Sequence, residues 1–189
     1  MRWDVARDLD AAHGLPRSSL VDTLFRTETW RDIERGIGDP VAWRGAAHLE
    51  LERRAGRSLP PLHEQWRQAQ AAIASNLALV RSLRPRYKLS VLSNADVSLR
   101  AQLERAGLPA LFDDIVVSAE VGLAKPEAAV FHLAVERLGL APADCVFVDD
   151  WDTNVEAARA IGMQAVLYRV DKGDDLRAQL DALGVAALP

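Results

Sequence analysis

The sequence predicts an α/β protein, a Rossmann-like parallel sheet preceded by an N-terminal helical module. Three observations carry that prediction. Over residues 4–84 apolar positions recur at helical spacing, with no convincing strand. From Lys88 onward, short apolar runs alternate with helical patterns four times. That order predicts right-handed crossovers, with helices on both faces of a parallel sheet. Finally, Cys145–Val155 (CVFVDDWDTNV) ends an apolar run abruptly in two carboxylates. A buried parallel strand does this where it delivers acids to its carboxyl end, the end at which open α/β sheets keep their ligands.

The elements follow in order. Val5, Leu9 and Ala12 mark a first helix, ended by Gly14-Leu15-Pro16. Ser18-Ser19 open a second, carrying Leu20, Leu24 and Phe25. After the turn Gly36–Pro40, Asp39 and Pro40 start a helix through Trp43, Ala47 and Leu51. Pro60-Pro61 break the chain, Trp66, Ala69 and Ile73 ride on the next turns, and Asn76–Leu83 is a last amphipathic helix. Leu89–Leu92, Ile115–Ser118, Val146–Val148 and Ala165–Tyr168 then read as strands. The helices expected between and after them are Val97–Ala106, Pro126–Leu138, Thr153–Ile161 and Asp174–Leu183.

Composition narrows the function. The chain has 189 residues, enough for one sizeable core plus a small accessory module. Its net charge of −4 comes without a basic block, which argues against a nucleic-acid-tracking surface. No apolar run approaches a membrane span, and Met1–Asp4 has no signal-peptide core, so a cytoplasmic, membrane-free setting is expected. The single Cys145 permits no internal disulfide and no cysteine-based zinc site. In an apolar strand it reads as a small apolar residue. His13, His48, His63 and His132 lack metal-ligand spacing. No Walker A, G-x-G-x-x-G or G-x-S-x-G stretch is present.

Three short stretches lie at or near strand ends: Ser93-Asn94, Lys125-Pro126 and Asp149-Asp150. Each has an ordinary alternative. Ser93 could cap the helix that follows, Lys125 could be solvated, and the acid pair could cap a turn. Two adjacent ionised carboxylates repel, however, and a divalent cation is the usual way to hold both charged. Arg26, Arg31 and Arg35 are candidate anion clamps on helix faces, and Trp30, Trp43 and Trp66 fall at core-like positions. Trp151 could wall a site or cover the sheet end.

The order hhhh-S-N, then G-x-x-K-P, then hhhh-D-D resembles the haloacid dehalogenase-like hydrolases, with a helical cap like that of their C1-capped members. The resemblance implies a cap over residues 4–80 and a Rossmann-like core over 85–189. It implies a Mg²⁺-dependent phosphate monoester hydrolase working through an aspartyl-phosphate on a small phosphorylated substrate. Ser93 would hydrogen-bond the phosphoryl group with Asn94 beside it on the substrate. Lys125 would neutralise nucleophile and phosphoryl charge. Asp150 would bind the metal directly and Asp149 less directly. The acid pair favours a phosphohydrolase over a haloacid dehalogenase, whose pattern carries serines there and needs no metal. Asn154, four places beyond Asp150, could cap or brace the helix behind the acids.

One part of the pattern is missing. The family's first motif is an apolar strand ending in D-x-D, which supplies the nucleophile and the acid/base. Asp8-Leu9-Asp10 matches by letter, but Trp3–Arg7 puts a charge at two of five positions, and no buried central strand does that. Asp8 and Asp10 are therefore read as the polar face of the first helix. A chain without that strand is expected to have a gap in the middle of its sheet and little or no turnover, with association a possible consequence. A catalytically silent phosphate- and metal-binding module is the alternative reading.

Overall fold

The computed structural model describes residues 2–70 and 72–186. Its first part is all helix: α1 (Trp3–Ala12), α2 (Ser19–Phe25), α3 (Glu28–Ile33), α4 (Pro40–Ala55) and α5 (Leu62–Gln68). Local chemistry sets several of these ends. Thr27 accepts the Trp30 N–H at 3.1 Å to start α3, and Asp39 accepts the Val41 N–H at 2.8 Å to start α4, with Pro40 in its first turn. Gly56 closes α4 in the left-handed region, at φ 65°. The apolar faces of these helices meet in one core that includes Leu20, Leu24, Ile33, Leu51 and Leu62. Its aromatic centre places Phe25 5.0 Å from Trp30 and 5.6 Å from Trp66, with Trp30 4.9 Å from Trp43 (ring centroids). Edge-on and tilted pairs of this kind add to the burial of their area.

Asp10 departs from the sequence expectation. It belongs to α1 but is 1% exposed, and its carboxylate accepts the Leu20 N–H at 3.0 Å. The polar face of α1 is thus turned inward at that point, because the start of α2 leaves backbone donors needing an acceptor. Burial raises the Asp10 carboxyl above its ordinary pKa. Asp8 remains exposed.

The second part begins with α6 (Ala74–Leu83) and runs through β1 (Ser90–Ser93), α7 (Leu99–Arg105), β2 (Asp114–Val117), α8 (Ser118–Val121) and α9 (Ala128–Leu138). It ends with β3 (Val146–Asp149), α10 (Asp152–Ala160), β4 (Gln164–Leu167) and α11 (Leu176–Ala182). Several boundaries differ from the pattern reading, two of them for a visible local reason. Asp96 accepts the Ser98 N–H at 2.7 Å, which takes residues 96–98 into a turn and delays α7 to Leu99. The Glu127 N–H bonds the Ala124 carbonyl in a turn, so Pro126 lies before α9 rather than in its first turn. The short helices α3 and α8 are too brief to leave a period in the sequence.

The strands form two parallel pairs rather than one sheet. Ser90–Ser93 of β1 pairs in register with Asp114–Val117 of β2, and Val146–Asp149 of β3 with Gln164–Leu167 of β4. Among the described residues β1 and β3 do not pair. The expected single sheet is therefore divided between β1 and β3 among the described residues. The exposures agree, since no residue of β1 is fully buried and Val148, inside β3, is 36% exposed. Helices α9 and α10 cover one side, burying Val130, Phe131, Val155 and Ala158 against Val116, Phe147 and Ala165. Phe131 meets Phe147 edge-on at 5.1 Å. Leu79 and Leu83 of α6 pack with Leu180 of α11 and with Val146. Among the described residues no helix is long and apolar enough to cross a membrane.

Candidate active site

The carboxyl ends of β1 and β3 carry the groups that the sequence singled out. Ser93 ends β1, and Asn94 follows it. Ser118, fully buried at the end of β2, fixes the loop beyond: its hydroxyl accepts the Ala95 N–H at 2.9 Å and donates to the Ala95 carbonyl at 3.3 Å. Asn94 is bound to the Lys125 backbone in both directions. Its side-chain oxygen accepts the Lys125 N–H at 2.9 Å, and its amide donates to the Lys125 carbonyl at 2.8 Å. The carboxamide thus acts as a bracket that sets the height of the lysine loop over β1.

From that loop the Lys125 ammonium reaches inward. It donates to the Leu92 carbonyl in β1 at 3.1 Å and to Asp149 Oδ2 at the end of β3 at 2.5 Å, and it lies 5.3 Å from the Phe147 ring centroid. Both members of the Lys125–Asp149 pair are 8% exposed. One cation therefore joins two strands that share no ladder. The other oxygen of Asp149 accepts the Trp151 N–H at 2.9 Å and the Asn154 amide at 3.1 Å, so Asn154 braces the first acid from α10. Asp150 points elsewhere: its Oδ2 accepts the Trp3 indole N–H at 2.8 Å. Trp3 also stacks on Trp66 at 5.6 Å and meets Trp151 edge-on at 6.1 Å, so Trp151 packs against the start of the helical module.

Helices α1–α5 also supply groups that the sequence reading did not mark. Glu34, just beyond α3, is buried, and its carboxylate accepts the second N–H of the Asn94 amide at 2.9 Å. Arg35 bonds Glu34 and, across to the other part of the chain, Glu127. Of the three arginines considered as clamps, Arg35 is thus occupied by two carboxylates. Arg44 of α4 pairs with Asp96 at 3.2 Å. Gly36 lies so close to α8 that a Cβ there would meet the Ala119 carbonyl oxygen at 2.3 Å.

Burial holds the Glu34 carboxyl above its ordinary value of 4.5, with Arg35 and Asn94 opposing that shift. The folded chain therefore binds this proton more tightly than the unfolded chain. Stability from this group is full below pH 4.5 and is lost as pH rises toward the folded pKa. Glu34→Gln is expected to remove that slope. Urea unfolding of both proteins from pH 4 to 7 should give curves that diverge over this window and run parallel above it, and coincident slopes throughout would refute the assignment.

Among the described residues no three His, Cys, Asp or Glu side chains gather into a metal-holding group. Asp149 and Asp150 are hard-oxygen donors of the kind Mg²⁺ takes, commonly one or two carboxylates with waters and a substrate phosphate. In this structure their oxygens accept from Lys125, Trp151, Asn154 and Trp3. Asp10 is committed to Leu20 inside the helical core, and Asp8 is exposed on α1.

Comparison with known proteins identifies the family. A family model described as haloacid dehalogenase-like hydrolase matches residues 18–162. This chain belongs to the haloacid dehalogenase-like hydrolases. The haloacid dehalogenase-like chain is 35% identical over 134 residues to a phosphatase of Mycobacterium tuberculosis (strain CDC 1551 / Oshkosh), a match over 70% of this chain and 60% of that protein. It thus spans less than two thirds of that relative's length. A HAD-like family hydrolase from Porphyromonas gingivalis superposes with a TM-score of 0.65 at 25% identity, over 97% of this chain and 90% of that one. A HAD family enzyme of Bacteroides thetaiotaomicron, crystallised with magnesium and inorganic phosphate, shares the fold with a TM-score of 0.64 at 18% identity, over 86% and 88% of the two chains.

Proposed function

We propose that the complete protein is a Mg²⁺-dependent phosphate monoester hydrolase, with α1–α5 as the cap over its site. The observation that carries this reading is the Lys125 ammonium, held between the ends of β1 and β3 beside Ser93 and the Asp149-Asp150 pair. A buried cation, a hydroxyl and two carboxylates at strand ends suit a phosphoryl group and one hard metal ion. The Ser93 hydroxyl donates to a phosphoryl oxygen. Lys125 neutralises charge on the phosphoryl group and on the attacking carboxylate. Asp150, with Asp149 behind it, would hold Mg²⁺, which supplies charge neutralisation when bound. Asn94 and Glu34 keep Lys125 in place. In the reaction a carboxylate oxygen bonds to phosphorus, the bond from phosphorus to the leaving oxygen breaks, and an acid protonates that oxygen.

The known chemistry of the family needs a nucleophilic Asp and an acid/base, and Asp8-Leu9-Asp10 does not provide them. These 189 residues alone are therefore expected to bind phosphate and turn it over slowly or not at all. That same feature supports the second reading, a silent phosphate- and metal-binding module. Calorimetric titration with inorganic phosphate, with and without Mg²⁺, tests what the two readings share. Binding should strengthen with Mg²⁺, and Asp150→Asn should abolish the Mg²⁺ effect. Phosphate binding that ignores both would refute the site.

A further inference from the structure

We propose that the groove between α2–α5 and α7 receives an uncharged, ring-bearing leaving group, so that the substrate is an aryl or other cyclic apolar phosphate ester rather than a sugar phosphate. This assignment rests on the phosphate reading above. The groove has a volume of ≈ 330 Å³, at the small end of the roughly 300–1,000 Å³ usual for small-molecule sites, which suits one or two fused rings. One end is formed by Ser93 and Asn94, so a phosphoryl group at Ser93 has its ester oxygen directed toward the groove. One wall carries Phe25, Trp30, Trp43 and Trp66; the opposite wall carries Leu99 and Leu103 of α7.

The chemistry of the walls points to a ring. Rings pair offset or edge-on, and a ligand ring would meet the parts of Trp30, Trp43 and Trp66 that the core leaves uncovered, 3–9% of each residue. The aromatic side chains are held rigidly by one another, with Trp30 and Trp43 4.9 Å apart, so little freedom is lost on binding. A polyol would give up hydroxyl–water hydrogen bonds against the apolar walls, with polar partners such as Arg67, Gln70 and Gln102 only on part of the lining. Arg67 lines the groove, and the other charged groups there are engaged or neutral. Arg44 is paired with Asp96 at 3.2 Å, and Asp96 also accepts the Ser98 N–H. His63, its side chain 13% exposed, is pushed below its ordinary pKa chiefly by burial, so it presents a neutral imidazole at neutral pH. Helix α7 has no fully buried residue, which leaves its apolar side available to a ligand.

The test is calorimetric titration of this chain with Mg²⁺ and four probes: inorganic phosphate, methylphosphonate, (1-naphthylmethyl)phosphonate and a glucose-derived phosphonate. The naphthyl compound is expected to bind about tenfold or more tighter than the methyl and glucose compounds, and to quench tryptophan fluorescence. Leu103→Glu, on the groove wall, should erase that preference and leave inorganic phosphate affinity unchanged. Leu99→Glu serves as a second variant should the first fold poorly. Equal affinity for the naphthyl and glucose probes overturns the assignment while leaving the phosphate reading intact, as does a preference that survives both substitutions. Failure of inorganic phosphate to bind overturns the phosphate reading and this assignment with it.

Discussion

Lys125→Met is expected to lower the unfolding free energy by about 3–5 kcal/mol, the usual cost of removing one partner from a buried ion pair. Methionine nearly matches the length of lysine, so the loss is electrostatic rather than a cavity. The ammonium and Asp149 are each 8% exposed and lie 2.5 Å apart, too dry for water to replace the missing cation. Asp149 would keep the Trp151 N–H and the Asn154 amide on one oxygen and lose the partner of the other. The Leu92 carbonyl would also lose the ammonium it accepts from, at 3.1 Å. Lys125→Met combined with Asp149→Leu should recover much of the loss, because no buried charge is then left alone. Urea denaturation at pH 7 checks this. A loss below about 1 kcal/mol for the single variant would mean that the pair behaves as a solvated surface bridge.

The readable parts of the fold are those whose sequence period reflects packing. Helices α1, α2 and α4 show themselves through Val5 and Leu9, Leu20 and Leu24, and Trp43, Ala47 and Leu51, because a helix on a core buries one stripe. The strands are short apolar runs, and the polar residues Ser93 and Asp149 end two of them. Lys125 was legible only through its place after the second strand, and the structure brings it to Asp149 directly. What remained hidden depends on contacts far apart in the chain. Glu34 meets Asn94 across 60 positions, and Trp3 meets Asp150 across 147. No local spacing encodes such pairs. Asp10 misled for a related reason: an acid on the polar side of a helix looks solvated until the neighbouring helix is known to end on it.

Supplying an apolar strand ending in D-x-D ahead of Met1 is expected to raise turnover of 4-nitrophenyl phosphate with Mg²⁺ by at least about 10³-fold, the scale of loss when a covalent nucleophile is removed. Such a segment is expected to enter between β1 and β3. Strands β1 and β3 share no ladder, β1 has no fully buried residue, and Val148 is 36% exposed, so the edges that would flank a further strand are open. Backbone donors and acceptors along such edges gain hydrogen bonds when a neighbour enters. Trp3, at the start of α1, bonds Asp150 at 2.8 Å, so α1 starts at the carboxyl end of β3. A strand entering between β1 and β3, parallel to both, would end beside Lys125 and Asp150. Its first Asp would then lie beside the cation that has to neutralise it. Phosphate release should appear in the extended protein, vanish when that first Asp is changed to Asn, and vanish again with Asp150→Asn. Activity in the 189-residue chain itself, abolished by Asp8→Asn, would instead require α1 to unwind and would refute the helical role of Asp8-Leu9-Asp10. Silence in both proteins, with Mg²⁺-dependent phosphate binding retained, would leave the chain as a binding module that has kept the cradle without the chemistry.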